Sequence, residues 1–448
     1  MLHLILFGFM ENIRSLRKLE QACRVDIRFM YLSGGIKPSF MAFQRFIDQK
    51  LTESIDDIFY AINQFLIQKE NINTDVIYVD GTKIEANANK YTFVWKKSIL
   101  NYREKLYLNI SKSCLSINNL FKFNFPIKDT YQIDDLKMIC NVLEHEVDRL
   151  KIEFVHGKGK RKTPHQRYHE QFNAFKEKLL TYENHIKICG DRNSYSKTDH
   201  DATFMHGKED YYNKTGIFKP YYNIQIGVSD EYILHYGVYP NPTDTKTWIP
   251  FFNTFYYRYG FHPKKPVADA GYGSYDNYMY NLEHKMSLTM KYHMFTKENE
   301  SKFKKQKYNI KNMKSTHDQI ISEDGHVYNY SHDYENRKGL YPRIIQVYHH
   351  SNWKESYKED KVPKTIGKDV VLLDMQKTVQ ENLKSDEGYQ LRVRRAIEVE
   401  GAFGELKSNS EYTRIQRRGK KGVQTEIALV LIGYNLRKYH AKKHRVLH

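Results

Sequence analysis

The spacing of apolar residues predicts a helix over residues 391–407, LRVRRAIEVEGAFGELK. At 100° per residue, Glu400 lies in the middle of a predominantly apolar arc of this helix. The arc consists of Val393, Ala396, Ile397, Val399, Phe403 and Gly404. Glu398 and Glu405 fall on the opposite side, where a solvated carboxylate is ordinary. We therefore expect Glu400 on a buried face, with either Lys407 or a metal ion as its partner, because burying an unpaired carboxylate is costly.

Residues 1–70 carry helical patterns only. Ser15 can cap a helix that continues through Leu32, a glycine pair at 34–35 interrupts it, and Ser39 can cap the next helix. Helix, glycine turn and helix are compatible with a helix-turn-helix that binds DNA, although any small helical domain contains such corners. The apolar opening of the chain is too short to span a membrane, so we expect it to form a buried helix.

Two aspartates each follow a short apolar strand. The run DVIYVD ends at Asp80, just before a glycine, and the run KPVAD ends at Asp269. An Asp-Gly pair is also the ordinary turn of a hairpin, and that alternative for Asp80 stays open. The neighbouring pattern predicts, in order, a hairpin of strands 222–228 and 232–238, a helix over 243–259, a helix over 275–282 and a strand over 286–291.

Residues 136–186 contain two segments with heptad spacing, which predicts two facing helices of an antiparallel arm. The apolar positions are Leu136, Cys140, Leu143, Val147 and Leu150 in the first segment and Phe172, Phe175, Leu179, Tyr182 and Ile186 in the second. The link between the segments is basic and contains Lys158, Lys160, Arg161 and Lys162. These residues form either an ordinary solvated loop or a tip that contacts DNA phosphates.

The composition adds a strong basic excess. The 448 residues include 71 Lys and Arg against 53 Asp and Glu, which gives a net charge of +18. Clustered basic residues favour a polyanionic partner, with nucleic acid ahead of a membrane. A second basic cluster, RIQRRGKK, contributes Arg414, Arg417, Arg418, Lys420 and Lys421. The four cysteines form no C-x-x-C pair, so neither a zinc knuckle nor a disulfide framework is indicated, and we expect a cytoplasmic protein.

The order of predicted elements indicates one core interrupted by insertions. A strand ending in Asp80 is followed by a long helical insertion, two strands, a helix, a strand ending in Asp269, a helix, a strand, a second insertion and the Glu400 helix. This order matches an RNase H-like core. Two strand-end aspartates and a helix glutamate can converge on two Mg²⁺ ions about 4 Å apart, so we expect the three carboxylates within roughly 8 Å of one another.

Several segments of the chain resemble bacterial insertion-sequence transposases of the DDE type, in the group with an InsH-like helical N-terminal domain. The matching motifs are VIYVDGTKIEANANKY, DHDATFMHGKED, KPYYNIQIGV, YPNPTDTKT, VADAGYGS, RRAIEVEGAFGELK and RIQRRGKKGVQTE. As an ordered set, these motifs cover most of the chain and are specific. The resemblance implies an α/β fold: an RNase H-like mixed sheet flanked by helices, with an all-α N-terminal domain and a two-helix coiled insertion.

The resemblance also implies a domain organisation. It predicts a helical DNA-binding domain over residues 1–70 and a DDE catalytic domain over residues 71–448. The catalytic domain would carry insertions at about 95–200, which is the helical arm, and at 294–385. Because the chain begins inside the N-terminal domain of the family, we expect several dozen residues of that domain to be missing.

By position, the resemblance implies metal ligands at Asp80, Asp269 and Glu400, and phosphate contacts from Arg395 and Lys407. The implied cofactor is a pair of Mg²⁺ ions, with Mn²⁺ as a substitute. The implied reaction is cleavage and strand transfer of double-stranded DNA, at the terminal inverted repeats of an insertion sequence and at target DNA. We expect a homodimer on DNA, associated with the bacterial nucleoid and without membrane contact.

The chain departs from the family at two further points. Many relatives have a cysteine cluster in the second insertion, but residues 294–390 contain no cysteine, so we expect no zinc site. The tyrosine that precedes the family's arginine has no clear counterpart, since Tyr389 fits only loosely. A catalytically silent DNA-binding protein or repressor derived from such an enzyme is the alternative function. The intact Asp80, Asp269 and Glu400 argue against it, whereas the shortened N-terminus argues for it.

Overall fold

The computed structural model describes residues 1–157, 159–207, 216–316, 318–360 and 362–445. Contacts divide the chain into two compact units. The first unit consists of Met1–Ile84 and Tyr222–His448, and the second unit consists of Glu85–Tyr221. Along the sequence, the second unit is therefore an insertion into the first.

The described strands are β1 (Val76–Glu85), β2 (Phe93–Trp95), β3 (Ser194–Ser196), β4 (Thr203–His206), β5 (Phe218–Ser229), β6 (Tyr232–Tyr239), β7 (Lys265–Ala268), β8 (Thr289–Met290), β9 (Lys314–Ser315), β10 (Gln319–Ile321), β11 (Val327–Asn336), β12 (Arg343–His350) and β13 (Thr365–Lys368). The described α-helices are α1 (Leu2–Met10), α2 (Leu16–Val25), α3 (Ile27–Leu32), α4 (Phe40–Phe46), α5 (Ile55–Glu70), α6 (Lys96–Phe121), α7 (Ile133–Arg149), α8 (Pro164–Cys189), α9 (Trp248–Tyr259), α10 (Tyr275–Glu283), α11 (Ser301–Lys304), α12 (Trp353–Asp360), α13 (Val370–Lys384), α14 (Asp386–Arg395), α15 (Gly401–Gly404) and α16 (Gly419–Arg445).

The central sheet has the strand order β6-β5-β1-β7-β8. Strand β1 runs parallel to β7, and β7 runs parallel to β8, whereas β5 and β6 form an antiparallel hairpin. Strand β4 pairs with residues 218–221 at the start of β5. This arrangement confirms the predicted RNase H-like mixed sheet flanked by helices, because the strands follow one another along the chain in the expected order.

The core of the first unit forms where the apolar faces of helices cover the sheet. Ile77 and Val79 of β1 are buried against aromatic residues of α9, including Trp248 and Phe251. Helices α5 and α13 contribute buried apolar residues to the same cluster. The last helix, α16, packs against α1, α5 and β6. Helices α1 and α5 of the amino-terminal region therefore pack against the last helix of the chain.

The N-terminal region is helical, as predicted, but its helices differ in detail. The expected single helix from Ser15 through Leu32 is divided, because Asp26 has an extended backbone and its carboxylate caps α3 at the Arg28 amide. The side chain of Ser39 caps α4, as predicted. The glycine pair at 34–35 adopts positive φ angles of 62° and 80°, which allow the chain to reverse there.

The second unit contains the two predicted arm helices and a third helix. Helices α7 and α8 pack against each other through most of the predicted heptad positions, and α6 packs against α8 as well. The last heptad position of the first segment, Leu150, follows the end of α7 and is exposed. The insertion is therefore a three-helix packing, whereas the heptad pattern had predicted two helices.

Residues 314–368 of the second predicted insertion form an antiparallel sheet in the order β13-β12-β11-β10-β9. Strands β11 and β12 form an antiparallel hairpin within this sheet. Among the residues that the structure describes, no helix combines the length and the apolar character needed to cross a bilayer.

A buried amide links three elements of the first unit. The Asn435 side chain of α16 donates hydrogen bonds to the Asn63 side chain of α5 at 2.9 Å and to the Ile233 carbonyl of β6 at 2.8 Å. It also accepts a hydrogen bond from the Ile233 amide at 2.9 Å. Both asparagine side chains are fully buried, so each of these polar groups depends on the others.

We expect Asn435→Ala to lower the free energy of unfolding by about 2–4 kcal/mol, because it leaves the buried Ile233 amide and the Asn63 carbonyl without partners. Urea unfolding followed by circular dichroism measures the loss. The matched control is Lys443→Ala, an exposed position on the same helix, for which we expect a change within about 0.5 kcal/mol. Equal stability of the two variants would contradict this account of the junction.

Candidate active site

The register of β1 and β7 brings two aspartates together. Tyr78 lies opposite Val267 in this parallel pair, and continuing the register by two residues sets Asp80 opposite Asp269. Asp80 lies within β1, and Asp269 directly follows β7. Neighbouring strands are about 4.8 Å apart, so the two carboxylates begin from adjacent backbone positions. The structure therefore places the two sequence-predicted aspartates side by side.

The guanidinium of Arg395 lies between these aspartates. Its Nη2 atom is 3.2 Å from Asp80 Oδ1 and 3.8 Å from Asp269 Oδ2. The Arg395 Nε atom also donates a hydrogen bond to the Val79 carbonyl at 3.3 Å, which anchors the last turn of α14 to β1. The side chains of Asp80 and Arg395 are mostly buried, whereas that of Asp269 is 46% exposed. One side of the aspartate pair is thus open to solvent.

A third carboxylate, Asp244, lies close to the pair in a buried polar network. Its Oδ1 atom accepts hydrogen bonds from the amides of Asn223 at 2.8 Å and Gln225 at 2.9 Å. The Tyr272 hydroxyl in turn donates to the Gln225 carbonyl oxygen. Burial, together with the charges of Asp244, Asp80 and Asp269, raises the pKa of Tyr272 well above its usual value. The tyrosine therefore keeps its proton and holds the network in one arrangement.

Two glycines leave room for this network. A Cβ atom at Gly81 would collide with the Gln225 amide and would lie 2.9 Å from Asp244 Oδ1. A Cβ atom at Gly271 would lie 3.0 Å from Asp269 Oδ1 and 3.5 Å from Asp244 Oδ2. Asp244 and Asp269 are therefore near neighbours, and a side chain at either glycine would crowd the carboxylates.

Glu400 does not lie on a buried face, and that expectation was wrong. Its side chain is exposed, and so are the neighbouring apolar residues Val393, at 40%, and Ile397, at 66%. The helix is buried instead through Leu391, Val399, Ala402 and Leu406. Val399 is the only fully buried member of the expected arc, so the buried side of the helix is shifted away from Glu400 toward Leu391, Ala402 and Leu406.

The helix is also less regular than the wheel assumed. Residues Ala396–Glu400 and Glu405–Asn409 form π-helical turns, in which hydrogen bonds span five residues and the rotation per residue is smaller. Glu398, expected in solvent, is half-buried and accepts a hydrogen bond from the Glu231 amide at 2.6 Å. Burial raises the pKa of Glu398. Glu405, also expected in solvent, forms an ion pair with Arg437 at 2.8 Å.

Among the residues that the structure describes, no group of three or more His, Cys, Asp or Glu side chains is close enough to hold a metal ion. Asp80 and Asp269 are brought together, and Glu400 lies on the π-helical turn that follows Arg395. Lys407 is half-buried on the second π-helical turn. The roles of Glu400 as a metal ligand and of Lys407 as a phosphate contact stay predictions.

The basic stretch after this helix is fixed by acidic partners. The carboxylate of Glu426 is buried and accepts hydrogen bonds from the Tyr412 hydroxyl and from the amides of Gln416 and Arg417. Arg417 forms an ion pair with Asp48 at 2.6 Å. Lys421 pairs with Glu53 at 2.9 Å, although both of these side chains are exposed, and Arg414, Arg418 and Lys420 are exposed too.

The basic loop of the second unit has both paired and exposed members. Lys160 and Arg161 are exposed, whereas the Lys162 ammonium lies 2.5 Å from a Glu170 carboxylate oxygen. Lys158 lies outside the described residues. The predicted phosphate contacts of this loop therefore rest on Lys160 and Arg161 within the described part of the chain.

Sequence analysis missed the network that supports the aspartates. Asn223, Gln225, Asp244 and Tyr272 all lie within quoted motifs, yet they were not assigned a role. The signal was present in YNIQIGV, where two amides alternate with apolar residues and so share one face of an otherwise apolar strand. Two buried amides on one strand face need hydrogen-bonding partners, and such a requirement points to a polar site.

We expect Arg395→Met to destabilise the protein by at least about 2 kcal/mol, because it removes the mostly buried guanidinium that lies between the Asp80 and Asp269 carboxylates. Thermal and urea unfolding measure the effect. Arg337→Met is the matched control, since its exposed ion pair with Glu335 contributes little. If both variants were as stable as the wild type, Arg395 would have no part in holding the aspartates together.

Two family matches accompany this geometry. Residues 325–440 match a family described as Transposase DDE domain, and this match includes Arg395, Glu400 and Lys407. Residues 1–49 match a family described as Transposase domain (DUF772). No curated protein matches the chain. The RNase H-like sheet and the two matches, one over the amino-terminal helices and one over the carboxyl-terminal part, support assigning the chain to the insertion-sequence transposases of the DDE type.

Proposed function

We propose that the protein cuts and rejoins DNA at the ends of an insertion sequence by metal-dependent hydrolysis and transesterification of phosphodiester bonds. The observation that carries this proposal is the pairing of Asp80, within β1, with Asp269, directly after the neighbouring β7, with one side open to solvent. An RNase H-like sheet holds both carboxylates rigidly, which is what an in-line displacement requires of its reactive groups.

The donor chemistry of the site fits a divalent metal ion. DDE transposases generally depend on such ions, and hard cations such as Mg²⁺ prefer carboxylate oxygens as ligands. Asp80 and Asp269 supply these oxygens, and Asp244 adds a carboxylate nearby. We propose that Asp80, Asp269 and Glu400 hold two Mg²⁺ ions, with Mn²⁺ as a substitute. When bound, these ions supply charge stabilisation for the attacking and leaving oxygens.

The basic residues of the chain have a separate task in this proposal. Arg395 keeps the aspartates together, and Lys407 contacts a DNA phosphate near the cleavage point. The exposed members of the two basic clusters bind the DNA backbone away from that point. The expected ligands are the terminal inverted repeats of the element and the target DNA. Because two ends must be joined, we propose that the protein acts as a homodimer on DNA.

Asp269→Asn separates cleavage from binding. We expect it to lower nicking of DNA that carries the element's ends by orders of magnitude, since the substitution removes the charge that holds the metal. Binding of the same DNA should survive, because Lys and Arg supply most of the affinity. Strand nicking and gel shift, each with Mg²⁺ and with a chelator, measure the two properties. Asp374→Asn, at an exposed position on α13, is the control and should nick like the wild type.

The same assay has outcomes that would contradict the proposal. Nicking by Asp269→Asn at the wild-type rate would show that the site is wrongly assigned. Failure of the wild type to nick with any divalent metal, despite binding the ends, would favour a silent DNA-binding protein. Two further variants, Glu400→Gln and Asp244→Asn, show which carboxylate completes the metal site. We expect Glu400→Gln to abolish nicking. If only Asp244→Asn abolished nicking, Asp244 would be the third metal ligand.

The exposed residues of the basic loop of the second unit, Lys160 and Arg161, allow a separate test of DNA binding. Each neutralised phosphate contributes about 0.9 to the slope of log affinity against log salt. We expect the double variant Lys160→Ala, Arg161→Ala to lower the magnitude of this slope by up to about 2. Lys162→Ala is the matched control and should change it less, because Glu170 already neutralises Lys162. An unchanged slope in the double variant would identify the loop as ordinary solvated surface.

A further inference from the structure

A lysine ends the third parallel strand beside the aspartate pair. Lys291 directly follows β8, as Asp269 directly follows β7. In this parallel pair Val267 lies opposite Thr289, and Ala268 lies opposite Met290. Continuing the register by one residue sets Lys291 opposite Asp269. Since adjacent strands are about 4.8 Å apart, the lysine side chain begins next to the carboxylate.

Close packing fixes the backbone at this lysine. A Cβ atom at Gly273 would collide with the Lys291 carbonyl oxygen and would lie 2.8 Å from the Tyr292 Cα atom. The loop that carries Asp269 therefore lies directly against the end of β8. The Tyr278 hydroxyl donates a hydrogen bond to the Met290 carbonyl at 3.3 Å and adds a second anchor. The position of Lys291 relative to Asp269 is thus built into the fold.

The charges around Lys291 are not balanced. Its side chain is half-buried, and burial together with the positive charges of Arg392 and Arg395 lowers the pKa of Lys291, whereas Asp269 acts in the opposite direction. Arg395 is engaged with both aspartates. The buried Nε atom of Arg392 has no hydrogen-bond partner. In the described part of the chain, no acidic side chain forms an ion pair with Lys291 or Arg392.

Lys291 and Arg392 are partly buried cations that form no ion pair within the described part of the chain, and such cations are unfavourable unless an anion meets them. We propose that Lys291 and Arg392 form a phosphate-binding site beside Asp269, which takes a phosphodiester group of the DNA strand that enters the active site. The ammonium acts as a point charge, and the guanidinium donates hydrogen bonds to the phosphate oxygens. This inference rests on the proposed cleavage function and assigns to it two residues outside the predicted metal ligands.

A contact between one lysine and one DNA phosphate can be tested by removing the charge of the lysine, the charge of the phosphate, or both. The probe is a short duplex with the inverted repeat that borders the coding sequence, in a series that replaces one phosphate near the cleavage point by a neutral methylphosphonate. Affinities are measured in chelator, so that no strand is cut. For the wild type, we expect methylphosphonate at the phosphate that Lys291 contacts to weaken binding by about tenfold, in addition to any effect at the phosphate proposed for Lys407. For the Lys291→Met variant, methylphosphonate at that position should no longer weaken binding, whereas its effect at other positions should remain.

Two further variants separate a direct contact from a structural effect. Lys291→Arg keeps the charge and should restore sensitivity at the same phosphate. Lys297→Met removes an exposed lysine close in sequence and should keep the wild-type pattern. Thermal unfolding checks each variant, and Lys291→Gln replaces Lys291→Met in the same series if the methionine variant does not fold.

The outcomes distinguish this inference from the function on which it rests. If the losses of binding free energy caused by Lys291→Met and by methylphosphonate add at every position, the lysine contacts none of these phosphates. The inference is then wrong, and the proposed cleavage function is unaffected. If the wild type binds the duplex and nicks it with Mg²⁺ yet shows no sensitive phosphate, only the inference fails. If the wild type neither binds nor nicks the duplex, the proposed function fails and the inference fails with it.

Discussion

The parallel pairing of β1 with β7 is the constraint on which the site depends. Its register sets Asp80 opposite Asp269, and two like charges on adjacent strands repel each other. Arg395 offsets this repulsion from a helix that follows the second insertion in sequence, with its Nη2 atom within 4 Å of both carboxylates. The pairing therefore fixes the aspartates, and the repulsion requires a cation between them.

The sequence was sufficient to predict the order of the strands, because period-two patterns are local signals. The predicted end of a strand at Asp80 was wrong, since β1 continues to Glu85, whereas Asp269 does follow its strand directly. The sequence was not sufficient for the Glu400 helix. A helical wheel finds which residues share a face, and it correctly grouped Val393 and Ile397 with Glu400. Whether that face is buried depends on what packs against it, and the buried side of the helix carries Leu391, Ala402 and Leu406 instead, with Val399 at the edge of the expected arc. The π-helical turns add an irregularity that no propensity predicts.

The part of the site that sequence reasoning missed is a set of neutral groups. Asn223, Gln225 and Tyr272 carry no charge, so a search for carboxylates and cations passes over them. Their role depends on the fold, because the two amides both donate hydrogen bonds to Asp244 when the hairpin of β5 and β6 lies beside β1. Because they are completely or almost completely buried, their hydrogen bonds are made within the protein, and the network can keep one carboxylate oriented toward the aspartate pair.

The net charge of +18 overstates the positive charge that this protein can offer to DNA. Arg417 is paired with Asp48, and Lys162 with Glu170, so their charges are partly offset within the fold. A basic residue without such a partner indicates an anion-binding site more strongly when its side chain is more deeply buried. An exposed lysine costs little without a partner because water screens it, whereas a half-buried one at Lys291 retains a net attraction for anions. Burial and pairing together therefore identify the basic residues that distinguish an active site from a merely basic surface.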